Sequence, residues 1–257
     1  MAFNPNELII DRVRYVVAHD LETKEKLFML KEIEEPSLNT TAEGEDVVDA
    51  VGALITTLYR SKQAEFSASN SLFSLDLAAQ QFGAEKVVGT ADGMIAVYGY
   101  DIKEIQNGAI ELSHEPVANS VQYIYSVVNG TASTSYKLAA GEATESEFAI
   151  NGKTITVPTG LTGEVFVEYQ YETENAVRIV NSASEFPEVC EAVIYCIFRD
   201  VCTEKLIAGQ IICHKAKLDP SSVEIGLTAT GKHPFTFKMF KDYCSTDDKL
   251  FTIVVSE

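Results

Sequence analysis

Apolar and polar positions alternate with a period of two along most of this chain. Val13, Tyr15 and Val17 alternate with Arg14, Val16 and Ala18, Asp20–Lys24 turn the chain, and Leu27–Leu30 return it. Alternation rich in β-branched and aromatic residues predicts a hairpin, which Pro36 should end. Residues 43–52 are acidic, with Gly44 and Gly52 near their ends, and read as a loop. Residues 54–69 then read as one long strand, polar over much of its length. With so few apolar positions this strand cannot bury a face of its own. It either faces solvent or pairs with something outside the monomer. The best helix is 71–83, where Leu72, Leu75, Ala79 and Phe82 share one face at helical spacing. Asn70 or Ser71 can cap its start and Gly83 its end.

From about 110 to 175 the texture changes to short strands separated by Ser, Thr, Gly and Asn. Strands are predicted at 121–128, 147–150, 154–157 and 164–171, the middle two joined across Asn151-Gly152 as a hairpin. This segment is either an inserted small β-subdomain or a continuation of the main sheet. The C-terminal third returns to longer apolar strands at 192–198, 206–212, 223–229 and 235–239. One internal echo joins the two ends. Tyr15-x4-Asp20-x2-Thr23 leads to Glu25-Lys26-Leu27, and Tyr195-x4-Asp200-x2-Thr203 leads to Glu204-Lys205-Leu206. The expected fold class is mainly β with one α-helix. Two packed antiparallel sheets form a sandwich or barrel-like core from 1–109 and 176–257, and 110–175 form an additional small β-subdomain.

Length and composition add little to that picture; charge adds more. A chain of 257 residues buries a core without disulfides. The net charge of −18 repels phosphate. It serves solubility, or it suits a protein that sits near DNA without holding it. No apolar run approaches the roughly 20 residues that cross a bilayer. The N-terminus lacks a basic segment followed by an apolar one, so the chain reads as made and kept in the cytoplasm, with no membrane partner. Five cysteines, with no Cys-x-x-Cys pair, read as reduced thiols.

A search for chemistry fails motif by motif. Gly226-Leu-Thr-Ala-Thr-Gly231-Lys232 matches the spelling of a phosphate loop, but His233 replaces the metal-binding Ser or Thr and a strand pattern follows. That loop works only where it opens a helix, so the segment reads as a hairpin turn. His114-Glu115 lacks the second His of a zinc-protease helix, and Pro116 breaks the helix. Cys202, Cys213, His214, His233 and Cys244 match no zinc spacing. No cofactor, metal or catalytic residue is nominated, and the chain is expected not to be an enzyme.

The run from Glu35 to Val48 and its continuation through Ile55–Ser69 into the helix ending at Phe82-Gly83 resembles the tail tube (major tail) proteins of tailed bacteriophages. So do the closing strands from Gly209-Gln-Ile-Ile to Phe235-Thr-Phe-Lys. The resemblance covers about 7–105 and 176–257 and leaves 110–175 outside. It implies a tail tube fold in a structural subunit that forms hexameric rings stacked into a tube, within a virion tail assembled in the host cytoplasm. The partners would be further copies of the chain, with tape-measure, tail terminator and baseplate or sheath proteins, and DNA would pass an acidic lumen unbound. Glu43, Glu45, Asp46 and Asp49 would stand on an inter-ring loop. Thr56, Thr57, Arg60, Lys62, Gln63 and Glu65 would stand on an inner-sheet strand. The alternative is another virion protein, a capsid decoration or an Ig-like adhesion module. The acidic loop can equally be a solvated surface loop.

Overall fold

The computed structural model describes residues 7–221, 223–243 and 248–256. It is mainly β, with a single helix among them. The first segment holds β1 (Leu8–Asp20), β2 (Lys26–Leu30), β3 (Ile33–Val48), β4 (Leu54–Asn70) and α1 (Leu75–Phe82). The middle holds β5 (Val87–Val88), β6 (Ile95–Glu104), β7 (Ala109–Glu111), β8 (Tyr123–Val128), β9 (Thr131–Leu138), β10 (Glu147–Asn151), β11 (Thr154–Thr156), β12 (Glu164–Thr173) and β13 (Val177–Arg178). The last holds β14 (Val189–Asp200), β15 (Leu206–Leu218), β16 (His233–Met239) and β17 (Thr252–Ser256). No helix among the described residues is long and apolar enough to cross a membrane.

The chain divides into two compact units, Met1–Lys86 with Ile179–Glu257, and Val87–Arg178. The inserted unit therefore begins at Val87, earlier than residue 110. The reason is strand pairing. β6 pairs along its whole length with β12, from Ile95 opposite Thr173 to Glu104 opposite Glu164. β5 and β13 pair with each other at the two chain ends of the insertion.

In the first unit one continuous antiparallel sheet runs β2-β1-β14-β15-β16-β4-β3, with β17 also on β15. It curls into a nearly closed barrel. Phe28 on β2 and Phe237 on β16 lie far apart in that order, yet their rings stack with centroids 6.2 Å apart. Both belong to one core with Val16, Phe66, Leu77 and Ile194. The internal echo is a matched pair of turns. Asp20 Oδ1 accepts from the backbone N–H of Glu22 and Thr23, and Asp200 Oδ1 accepts from Cys202 and Thr203. Lys24 and Glu204 take the left-handed residue of each turn, with φ of 61° and 57°. The strands leading into them, β1 and β14, pair antiparallel with Tyr15 opposite Tyr195. The two hairpins are thus related by an approximate two-fold axis.

Four expectations shift. Pro36 does not end a unit; β3 runs through it by way of a register shift between Glu34 and Ser37, the kind of irregularity that accommodates proline in a strand. Residues 43–52 are a loop only at 49–52, the hairpin turn, because β3 continues to Val48. Residues 223–229 form no strand, and a turn at Gly226 and Gly231 leads into β16. The helix begins only at Leu75, with Ser74 as its cap, its hydroxyl accepting from Leu77 N–H at 3.2 Å. Gly83 closes it at φ 65°. The late start rotates the buried face to Leu77, Ala78, Ala79 and Gln81. Ala79 is thus inside as expected and Phe82 half-buried, whereas Leu72 and Leu75 are 63% and 42% exposed. Polar residues hold this face. Gln81 donates to Pro234 O at 2.8 Å, and its Oε1 lies 2.7 Å from His233 Nε2. Ser74 N–H donates to His233 Nδ1 at 3.2 Å. His233 is thereby locked as the neutral tautomer with its proton on Nε2, and burial lowers its pKa.

The inserted unit has its own core of Ile124, Phe148, Ile155, Val165, Val167 and Tyr169. Its seven-stranded sheet runs β6-β12-β8-β9-β10-β11-β7 and includes the hairpin across Asn151-Gly152. Buried Asp101 accepts from Ser113 N–H, Ser113 Oγ and Tyr169 Oη. Burial alone would raise its pKa; these donors bring it below the ordinary value. Burial and the Asp101 contact push the Tyr169 phenol up to about 12.

Candidate assembly surface

The most unusual element is the β3–β4 hairpin. At its base, residues 64–70 of β4 lie between β3 and β16. There Ala64, Phe66, Ala68 and Asn70 alternate inward and are buried. This half does have a buried face, contrary to the reading of 54–69 as a strand without one. Beyond Gln63 the neighbour on the β16 side is gone. Among the described residues, 54–63 pair with β3 alone, from Glu43 opposite Arg60 to Val48 opposite Leu54, and nearly all are exposed. The result is a two-stranded arm with solvent on both faces. About nine residues at roughly 3.3 Å each carry its tip on the order of 30 Å from its foot.

Local chemistry explains why the arm forms. Asp49 closes the tip: its Oδ1 accepts from Val51 N–H at 2.9 Å and Ala53 N–H at 2.8 Å. Gly52 supplies a φ of 87° that other residues rarely adopt. One face pairs Glu43 with Arg60 and Glu45 with Leu58; the Glu45–Arg60 ion pair, at 3.5 Å and exposed, contributes little. On the other face Asp46 accepts from Thr57 Oγ1 at 2.7 Å, and the Tyr59 ring covers Gly44. Val51, Leu54 and Ile55 stand in solvent at the tip. At the foot, a register shift between Thr41 and Glu43 faces Ser61, whose φ is 52°. Here a hollow of about 410 Å³ is lined by Lys62, Glu65, Lys238, Phe240 and Lys241 among others.

The structure thus brings Glu43, Glu45, Asp46 and Asp49 onto the same arm as Thr56, Thr57 and Arg60, with Lys62, Gln63 and Glu65 at its foot. Loop and strand candidates form one element. Sequence reasoning separated them because a bulged, acidic strand lacks clean alternation. It also missed the foot hollow, whose lysines come from β4, from distant β16 and from the stretch just after β16.

The residues considered for chemistry are engaged elsewhere. Lys232 pairs with Glu34 at 2.7 Å and Glu35 at 3.0 Å, and β16 follows it in place of a helix. Cys190 and Cys213 are buried, and burial first of all pushes both thiols up to about 12. His214 Nε2 lies 2.8 Å from Thr252 Oγ1. Among the described residues no group of three His, Cys, Asp or Glu could hold a metal. Cys244 lies outside the described residues.

A search of curated proteins returns no match. A model of the YomU/Tube protein family matches residues 8–253, which includes the insertion left outside the tail tube resemblance. The family name points to a phage tube-like structural protein, a virion tail component, and to a structural rather than a catalytic role. The chain belongs to the YomU/Tube protein family.

Proposed function

We propose that this chain is the repeating subunit of a phage tail tube, forming hexameric rings that stack. The observation that carries this reading is the β3–β4 arm. An isolated two-stranded ribbon is marginal in water, and this one exposes Val51, Leu54 and Ile55 at its tip. A second copy would supply the cover that the monomer lacks. A two-stranded hairpin of this length holds its tip away from its own foot. Its acidic, apolar tip has a counterpart in the lysine-lined and apolar hollow there, which fits contact between successive rings. Such a contact is heterologous, and repetition builds rings or tubes. A ring also joins the β2 and β3 edges of neighbouring sheets, leaving none open. An acidic lumen would let DNA slide through without adhering. Tape-measure, terminator and baseplate or sheath proteins would meet the tube at its bore and ends.

Negative-stain microscopy of the purified protein tests this. Hollow tubes or six-fold rings are expected. A strictly monomeric species at every concentration, with no polymer on seeding or heating, would overturn the reading. Full assembly after removal of residues 44–59 would remove the arm from it.

A further inference from the structure

The sheet of the inserted unit turns one face to its core and the other to solvent. On the solvent face, alternation places Tyr98 and Tyr100 on β6, Phe166 and Glu168 on β12, and Tyr123 and Tyr125 on β8. Register sets Glu168 directly opposite Tyr100. With Val167 opposite Ile124, Tyr123 is the next residue across on the other side. Phe166 follows along the strand, its ring centroid 5.9 Å from Tyr100 and 6.2 Å from Tyr125. Tyr98, Tyr100 and Tyr123 are 74%, 69% and 52% exposed. Tyr98, Tyr123, Tyr125 and Glu168 converge on a hollow of about 180 Å³, with Ser120 and Gln122 on its rim.

This is a carboxylate ringed by aromatic side chains and left without a counter-ion. Glu168 makes no ion pair or hydrogen bond among the described residues. Lys137, opposite Tyr123 on the next strand, is held by Glu147 at 3.0 Å. Residues 87–178 carry twelve acidic against four basic side chains, so the wider field has the same sign. Contiguous exposed aromatic area marks a binding surface, and tyrosine is enriched in such surfaces.

We propose that this face docks a basic protein segment, with an arginine guanidinium lodged among the tyrosine rings against Glu168. A guanidinium is planar, stacks on aromatic faces and offers a carboxylate two parallel donors. The hollow is well below the roughly 300 Å³ at which drug-sized pockets begin, and suits one side-chain head. A second copy of this face would meet it with the same charge, so the partner is a different, cationic chain. A neutral saccharide would leave the carboxylate uncompensated.

The test uses the full chain and a fluorescein-labelled peptide of alternating glycine and arginine, followed by anisotropy at about 0.15 M ionic strength. Binding is expected, with the lysine version several-fold weaker and the citrulline version silent. Glu168→Gln and Tyr123→Ala should each weaken binding roughly tenfold. Glu111→Gln, the same charge change on β7 of the same unit, should leave it unchanged. Equal loss in Glu111→Gln would reduce the effect to net charge and overturn the proposal. So would equal binding of the citrulline peptide, or competition by a neutral oligosaccharide. The outcome is independent of the arm, because loss of tube formation on arm removal leaves this binding intact.

Discussion

The two halves of β4 share one strand and nothing else. From Ala64 to Asn70 the strand has neighbours on both sides and a buried face. From Leu54 to Arg60 it has one strand neighbour among the described residues and side chains exposed on both faces. The base half is stabilised by the fold, whereas the arm half is formed by the fold but not covered by it. Substitutions in the base should therefore register in folding, and substitutions in the arm should register in association.

The largest folding effect is expected at Phe66, which is fully buried, tilts against Phe235 and sits opposite Phe237. Phe66→Ala leaves a cavity and should cost about 3–5 kcal/mol. Urea unfolding followed by circular dichroism reads this as a lower midpoint with an unchanged slope. A loss below about 1 kcal/mol would mean that the base half is no better packed than the arm.

Acid should come next, again at the base, where His233 pairs with Asn70. Burial lowers the folded-state pKa of His233 below the unfolded value near 6.5. Its contribution is therefore complete above about pH 6.5. It is lost as pH falls from there towards the folded pKa, at up to roughly 1.4 kcal/mol per pH unit. Protonation places a proton on the Nδ1 that accepts from Ser74, loosening the helix cap. Stability measured at pH 7, 6 and 5 should fall in the native chain and lose this part of its slope in His233→Gln. Identical slopes would relieve His233 of the role.

The base was largely legible in the sequence and the arm only half so. Alternation at 192–198 and 235–239 marked core strands because one face of each is buried, and burial enforces period two. At Val13–Val17 the strand was legible, but a bulge between Val13 and Tyr15 brings Val16 and Ala18 into the core and leaves Val13 and Tyr15 half-buried. Asn151-Gly152 marked its hairpin through turn chemistry alone. The arm's second strand was visible as length and polarity. Its first strand was not, since Glu43, Glu45 and Asp46 bury nothing and a bulge breaks their register. The helix was found but out of phase: Leu72 and Phe73 look like a first turn, yet Ser74 caps the helix and Phe73 stacks on His233 with centroids 5.1 Å apart. Beginning the insertion at 110 overlooked β6, whose alternating Tyr98, Tyr100 and Ile102 resemble a core strand and in fact face solvent.

A smaller effect is expected at the arm tip. Gly52→Ala places a side chain at φ 87° with no atom within 4 Å of its Cβ, so only backbone strain opposes it. The cost is about 1 kcal/mol, confined to the tip. Hydrogen exchange should quicken at the amides of Val51 and Ala53 and stay unchanged at Phe66 and Phe237. Quickening at those core amides would show that arm and base unfold together.

The smallest folding effect and the clearest contrast belong to Ile55→Ser. Ile55 is 64% exposed and touches no core, so the unfolding midpoint should move by no more than about 0.5 kcal/mol in equivalent stability. If the tip is covered by another copy, that same side chain enters apolar surroundings only on assembly. Burying an isoleucine is worth roughly 1.5–3 kcal/mol, and a serine forfeits it at every arm in the tube. The critical concentration for assembly, read by sedimentation, should rise by about tenfold or more while the monomer melts as before. A variant that assembles at the native concentration leaves the tip solvated in the tube. One that lowers the melting point while sparing assembly reverses the roles assigned to the two halves of β4.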